Sequence, residues 1–172
     1  MNLDLLPLGW LHSLACLVAL AAGAYGFSTR KGSPHHILTG RVYMVAMLIL
    51  NLSALGIYRL GVFFFPHVLA VITLVLIAVG WLSARSHWPR PLWRYIHLSC
   101  MIGSYYMLIG GGVNEVFLRV YAIRELLNSQ GEVMLALTHG SLMLVFLILL
   151  IGWNGVEIAR GIARRRKANA NA

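Results

Sequence analysis

Residues 66–84, PHVLAVITLVLIAVGWLSA, contain no Asp, Glu, Lys or Arg. A helix of about 20 such residues crosses the hydrocarbon core of a bilayer, which is about 30 Å thick. Four more stretches have the same character, at about 5–27, 41–60, 97–118 and 134–155. The sequence therefore predicts an all-α, polytopic transmembrane helical bundle of about five spans in residues 1–160. A basic tail, residues 161–172, follows it.

Composition agrees with a membrane protein. Hydrophobic residues make up 59% of the chain and charged residues only 11%, whereas soluble domains have about 45–50% apolar and about 25% charged residues. The net charge of +9 lies in the segments between apolar stretches, without the aromatic-basic interleaving of a nucleic-acid surface. We therefore expect the lipid bilayer as the partner, and no nucleic acid.

The cationic residues predict the orientation. Eleven of the fourteen Lys and Arg residues fall on one side of the five predicted spans, in the first loop, the third loop and the tail. Because cytoplasmic loops carry the excess of Lys and Arg, this side is predicted to be cytoplasmic and the N-terminus to lie outside. Residues 119–128 have apolar positions at helical spacing beside charged ones, which predicts a short helix along the outer membrane surface.

Polar residues on three spans recur at helical spacing. At about 100° per residue, the fourth span places one group on a single face: His97, Met101, Ser104, Tyr105, Gly112, Glu115 and Arg119. The second span repeats the pattern with Tyr43, Met47 and Asn51, and the first with His12 and Cys16. Polar groups inside a bilayer normally face the bundle interior. These faces therefore predict a polar interior between the helices.

The histidines form two predicted tiers. His36 and His97 lie at the cytoplasmic edge, and His12, His67 and His139 lie in the outer half. A histidine from each of two helices can bind one haem iron, so the inner pair would hold one haem b and two of the outer three a second. An outer copper or zinc site is the alternative. Each histidine taken alone is also compatible with a structural, hydrogen-bonded role.

Glu115 and Arg119 are four residues apart and can pair across one turn. This pair is either an interfacial salt bridge or, with Asn114 beside it, a proton or quinone-headgroup site. At the cytoplasmic edge, Arg41 and Tyr43 are candidates for a second proton or headgroup site, or for anchoring at the interface.

The chain also resembles a bacterial membrane family catalogued as domain of unknown function 2306. The motifs are Lys31-Gly32-Ser33-Pro34-His35-His36, Gly40-Arg41-Val42-Tyr43, Pro66-His67, His97 with Met101 and Tyr105, and Asn114-Glu115 with Arg119. The resemblance covers about residues 25–120 and implies a multi-pass protein of the bacterial inner membrane. It marks a polar signature of eight residues: His36, Gly40, Arg41, Tyr43, His67, His97, Met101 and Glu115. Ile37 stands where the family usually has a basic residue.

Three hypotheses of function follow. The first is a membrane redox protein with b-type haem or quinone, in which Met101 and Tyr105 adjoin the histidines. The second is a proton- or ion-coupled transporter that uses Glu115, Arg119 and His67. The third is a non-catalytic scaffold or accessory subunit whose polar face binds a membrane partner or a second copy of the chain.

Overall fold

A computed structural model of the chain describes residues 6–57, 65–90 and 92–119, together with isolated positions between 125 and 163. The described part contains helices and no strand. It has four long helices: α1 (Leu6–Ser28), α2 (Pro34–Gly56), α3 (Phe65–Ser86) and α4 (Trp93–Arg119). Each includes a segment long and apolar enough to cross a membrane. The protein is thus an all-α membrane protein, as the sequence predicts.

The turn between α1 and α2 is short and well capped. The Lys31 ammonium group donates to the carbonyls of Gly26 and Phe27 at 3.0 and 2.7 Å, which satisfies backbone acceptors at the end of α1. Gly32 has a φ of 79°, a left-handed conformation that glycine adopts without steric cost. Ser33 then caps α2 by accepting a hydrogen bond from the backbone N–H of His36 at 3.2 Å.

Helix α2 begins seven residues before the predicted span at 41. The cause is the Ser33 cap followed by Pro34 in the first turn, a combination that favours a helix start. His35 and His36 consequently lie in the first turn of a helix instead of in a loop. The other three helices begin within a few residues of their predicted spans.

Small and medium-sized apolar residues form the core. Ala19 and Met47 are fully buried, and Ile77 and Leu108 nearly so. Large apolar side chains cover much of the outer surface, and Leu17 for example is 65% exposed. A surface of this kind suits lipid, because exposed apolar area on this scale is rare in soluble proteins.

The C-terminal part of the chain, from residue 117, forms a separate compact unit. The predicted fifth span (134–155), the predicted surface helix (119–128) and the tail (161–172) lie largely outside the described residues. The positions that are described between 125 and 163 are helical and exposed. Cys16 and Cys100 are free thiols.

Candidate functional site

The imidazole rings of His36 in α2 and His97 in α4 are neighbours in an edge-on arrangement. Their centroids lie 6.4 Å apart and their planes are nearly perpendicular, at 87°. Both side chains are half-buried. The structure thus brings together the two histidines of the predicted inner tier, which are far apart in the sequence.

Each of these rings is held by a backbone carbonyl of a neighbouring helix. His97 Nδ1 lies 2.9 Å from the carbonyl oxygen of Gly80 in α3. His36 Nδ1 lies 3.2 Å from that of Gly26 in α1. A carbonyl oxygen only accepts, so Nδ1 is the donor in both rings. This contact leaves Nε2 of each ring as the nitrogen that could bind a metal.

The absence of a side chain at Gly80 allows α3 and α4 to approach closely. A Cβ atom there would lie 2.5 Å from Met101 Cε and 2.9 Å from Cys100 Cβ. Separations under about 3 Å force a shift of the neighbours. Gly80 consequently brings its carbonyl within reach of His97, and Met101 packs directly beside this contact.

A layer of hydroxyl groups lies about two turns beyond the histidines along α2 and α4. The Tyr43 hydroxyl is 2.9 Å from Ser104 Oγ, and the pair is buried. Ser104 in turn donates to the carbonyl of Met101 at 3.0 Å. Because the Ser104 hydroxyl donates its proton to the Met101 carbonyl, the Tyr43 hydroxyl is the donor in its hydrogen bond with Ser104 Oγ.

Tyr105 ties α4 to α1 in the same layer. Its hydroxyl donates to the Leu20 carbonyl at 3.2 Å, and its ring packs edge-on against Phe27 with centroids 5.2 Å apart. Gly23 makes room for the ring, because a Cβ there would lie 2.5 Å from Tyr105 Cε2. The predicted inward faces of α1, α2 and α4 thus meet through Gly23, Tyr43 and Tyr105.

The outer histidines have different surroundings. His12 Nδ1 lies 3.1 Å from both the Leu50 carbonyl and Ser53 Oγ on α2, so it has the same kind of anchor as the inner pair. His67 is 98% buried at the start of α3. His139 lies outside the described residues, and the pairing of the outer tier stays a prediction.

The remaining candidates divide into two groups. Arg41 is exposed on α2 and lines a groove against α1. Asn114, Glu115 and Arg119 belong to the last turns of α4, but their side chains lie outside the part of the chain that the structure describes. Their predicted proton or headgroup site stays a prediction.

Among the described residues, no cluster of three or more His, Cys, Asp or Glu is placed to hold a metal ion. The candidate ligands that the described residues bring together are His36 and His97. Sequence reasoning missed the two carbonyls, at Gly26 and Gly80, that orient the rings. Glycine within an apolar span is a signal for close backbone approach, but it does not say which neighbour approaches.

A family model for predicted membrane proteins, DUF2306, matches residues 9–153. The chain belongs to this family. The match extends beyond the 25–120 region of the sequence motifs and includes parts of the first and fifth predicted spans. Comparisons of this DUF2306 protein with curated proteins and with solved structures found no significant match.

Proposed function

We propose that this protein is a membrane electron-transfer protein that binds a b-type haem between His36 and His97. The observation that carries the proposal is the pair of neighbouring imidazoles on two helices, each with Nδ1 hydrogen-bonded to a glycine carbonyl. Metal-bound histidines commonly donate the other ring N–H to such an acceptor, which fixes the tautomer and makes the ligand more basic.

The distance between the rings fits one shared metal ion. Histidine nitrogens bind metals at about 2.0 Å. Two imidazoles on opposite sides of an ion therefore have centroids roughly 6.3 Å apart. The separation of His36 and His97 is 6.4 Å. Direct packing of the two rings also allows this distance, but it does not require both Nδ1 atoms to be anchored.

The surrounding residues favour a haem over a hydrated metal ion. Two histidines, with no third His, Cys, Asp or Glu placed beside them in the described part of the chain, suit a macrocycle that supplies the other donors. Tyr43 belongs to the apolar core cluster, and Met101 and Tyr105 pack against it. Bound there, a haem would supply reversible one-electron transfer. The chain's own part is to hold two neutral imidazoles in place and to limit access of water.

The test is a reduced-minus-oxidised visible spectrum of the purified full-length protein in detergent, with pyridine haemochrome quantification. We expect a low-spin b-type spectrum that is lost in His36→Ala and in His97→Ala. His35→Ala is the matched control, because His35 is adjacent in sequence but exposed. Its spectrum should equal that of the wild type.

A further variant separates ligation from folding. His97→Met replaces one residue that can bind haem iron by another, and it is expected to keep haem with a raised midpoint potential. A wild-type protein without haem, when purified from cells supplied with a haem precursor, would refute the proposal. So would haem that is retained in full by the correctly folded double variant His36→Ala/His97→Ala.

A further inference from the structure

A groove runs along the outside of the bundle between α1 and α2. Its volume is about 400 Å³, within the range of about 300–1,000 Å³ that is usual for ligand pockets. Eight apolar side chains and one cation line it: Leu11, Leu14, Ala15, Val18, Val42, Val45, Ala46, Ile49 and Arg41. The groove is therefore apolar apart from one positive charge, that of Arg41.

Arg41 has few acidic residues in its part of the chain. Residues 5–114 contain seven Lys and Arg residues and no Asp or Glu. Arg41 lies seven residues after the start of α2 at Pro34, or about 10 Å along the helix. The predicted span begins at residue 41, so this guanidinium is expected near the interface, where it prefers an anionic partner.

The groove extends from Arg41 toward the opposite end of the bundle. His12 bonds to Leu50 and Ser53, so its neighbour Leu11 lies level with that part of α2. This level is roughly ten residues beyond Arg41, which corresponds to about 15 Å of helix rise. One leaflet of a bilayer has a hydrocarbon depth of about 15 Å, half of the full core.

We propose that this groove binds one acyl chain of an anionic phospholipid, whose phosphate is bound by Arg41. The apolar lining matches the acyl chain, the length matches one leaflet, and the guanidinium at one end matches the phosphate, which it can bind through two N–H donors. This groove lies between α1 and α2 and is independent of the proposed haem, which His36 and His97 would hold between α2 and α4.

The test is native mass spectrometry of the full-length protein, titrated in detergent with dioleoyl phosphatidylglycerol or dioleoyl phosphatidylcholine. We expect one tightly bound phosphatidylglycerol and weaker phosphatidylcholine. Arg41→Gln should weaken phosphatidylglycerol binding by about fivefold, as expected for one cation near a membrane surface. Arg85→Gln is the control, because it removes the same charge at an exposed position on α3.

A second variant tests the groove itself. Val45 is 57% exposed in the groove, and Val45→Phe fills space there without a change of charge. It should also weaken phosphatidylglycerol binding, with helical content by circular dichroism unchanged. Equal binding of the two lipids, no loss in Arg41→Gln or Val45→Phe, or an equal loss in Arg85→Gln would each overturn the proposal. A wild-type dimer that Val45→Phe dissociates would also overturn it and assign the groove to a second copy of the chain.

Discussion

The ring nitrogen Nδ1 of His97 lies 2.9 Å from the backbone carbonyl oxygen of Gly80. The two residues belong to neighbouring helices, and the contact depends on the missing side chain of the glycine. Met101 and Cys100 occupy the space where a Cβ of residue 80 would be placed. The orientation of one candidate ligand is therefore coupled to the packing of α3 against α4.

Gly80→Ala should disturb both the orientation of the His97 ring and the packing of α3 against α4. The new methyl group would approach Cys100 Cβ to 2.9 Å, and Cys100 Cβ is fixed by the backbone, so the helices must separate. Overpacking of this kind costs typically about 1–3 kcal/mol. We expect a lower midpoint of thermal unfolding in detergent, together with reduced haem content if the haem proposal holds.

Gly103→Ala is the matched control on the facing helix. Its Cβ would lie 3.5 Å from Leu76 Cδ1, which is ordinary contact, and alanine favours a helix over glycine by about 1 kcal/mol. This variant should be as stable as the wild type or more so. If Gly80→Ala behaved in the same way, the close approach of α3 and α4 would have no energetic importance.

The buried pair Tyr43 and Ser104 predicts an asymmetric response to mutation. Ser104→Ala leaves the Tyr43 hydroxyl without its acceptor, and a buried unsatisfied group costs about 1–3 kcal/mol. Tyr43→Phe leaves Ser104 bonded to the Met101 carbonyl, so it removes one hydrogen bond worth about 0.5–1.5 kcal/mol. The free energy of unfolding should fall further in Ser104→Ala than in Tyr43→Phe.

The exposed Tyr25 provides the control for this comparison. Its side chain is 53% exposed, and Tyr25→Phe should leave stability unchanged. Unfolding in mixed micelles with increasing denaturing detergent measures all three variants on one scale. A larger loss in Tyr43→Phe than in Ser104→Ala would show that Ser104, and not Tyr43, is the donor in the pair.

Helical periodicity predicted part of the buried surface, although His97, Met101 and Tyr105 on the predicted face of the fourth span are only half-buried. Tyr43, Met47 and Asn51 were assigned to one face of the second span from their spacing alone, and all three are buried. Ser104, on the predicted face of the fourth span, is fully buried. The reason is that the α-helix has a fixed angle per residue, so the sequence spacing within one helix determines the face.

Relationships between helices could not be predicted in this way. The choice of Gly26 and Gly80 as acceptors depends on the register and distance of neighbouring helices, which no spacing within one helix encodes. The groove at Arg41 depends in the same way on how α1 packs against α2. The pairing of His36 with His97 could be predicted, because the order of the predicted spans alone places both residues at the same end of the bundle.

Orientation in the membrane is a prediction that labelling can test. The positive-inside rule places the α1–α2 turn and the end of α3 in the cytoplasm. Ser86 is exposed at the end of α3. In a background without Cys16 and Cys100, Ser86→Cys should react with a membrane-impermeant maleimide only after the bacterial cells are opened. Gly56→Cys, at the opposite end of α2, should react in intact cells, and the reverse pattern would contradict the predicted orientation.

The outer histidine tier predicts a second haem, and the ratio of haem to protein can decide this. His12 is anchored through Nδ1 to α2, as His36 and His97 are anchored to their neighbours, so it is the first outer candidate.

With two haems, His12→Ala should lower the ratio of haem to protein from two to one and leave the spectrum of the inner site intact. His36→Ala should lower it by removing the inner haem, and the two variants should leave haems of different midpoint potential. With one haem, the wild-type ratio is one and His12→Ala does not change it. That result would leave His12 as a side chain that stabilises the contact between α1 and α2 through Leu50 and Ser53.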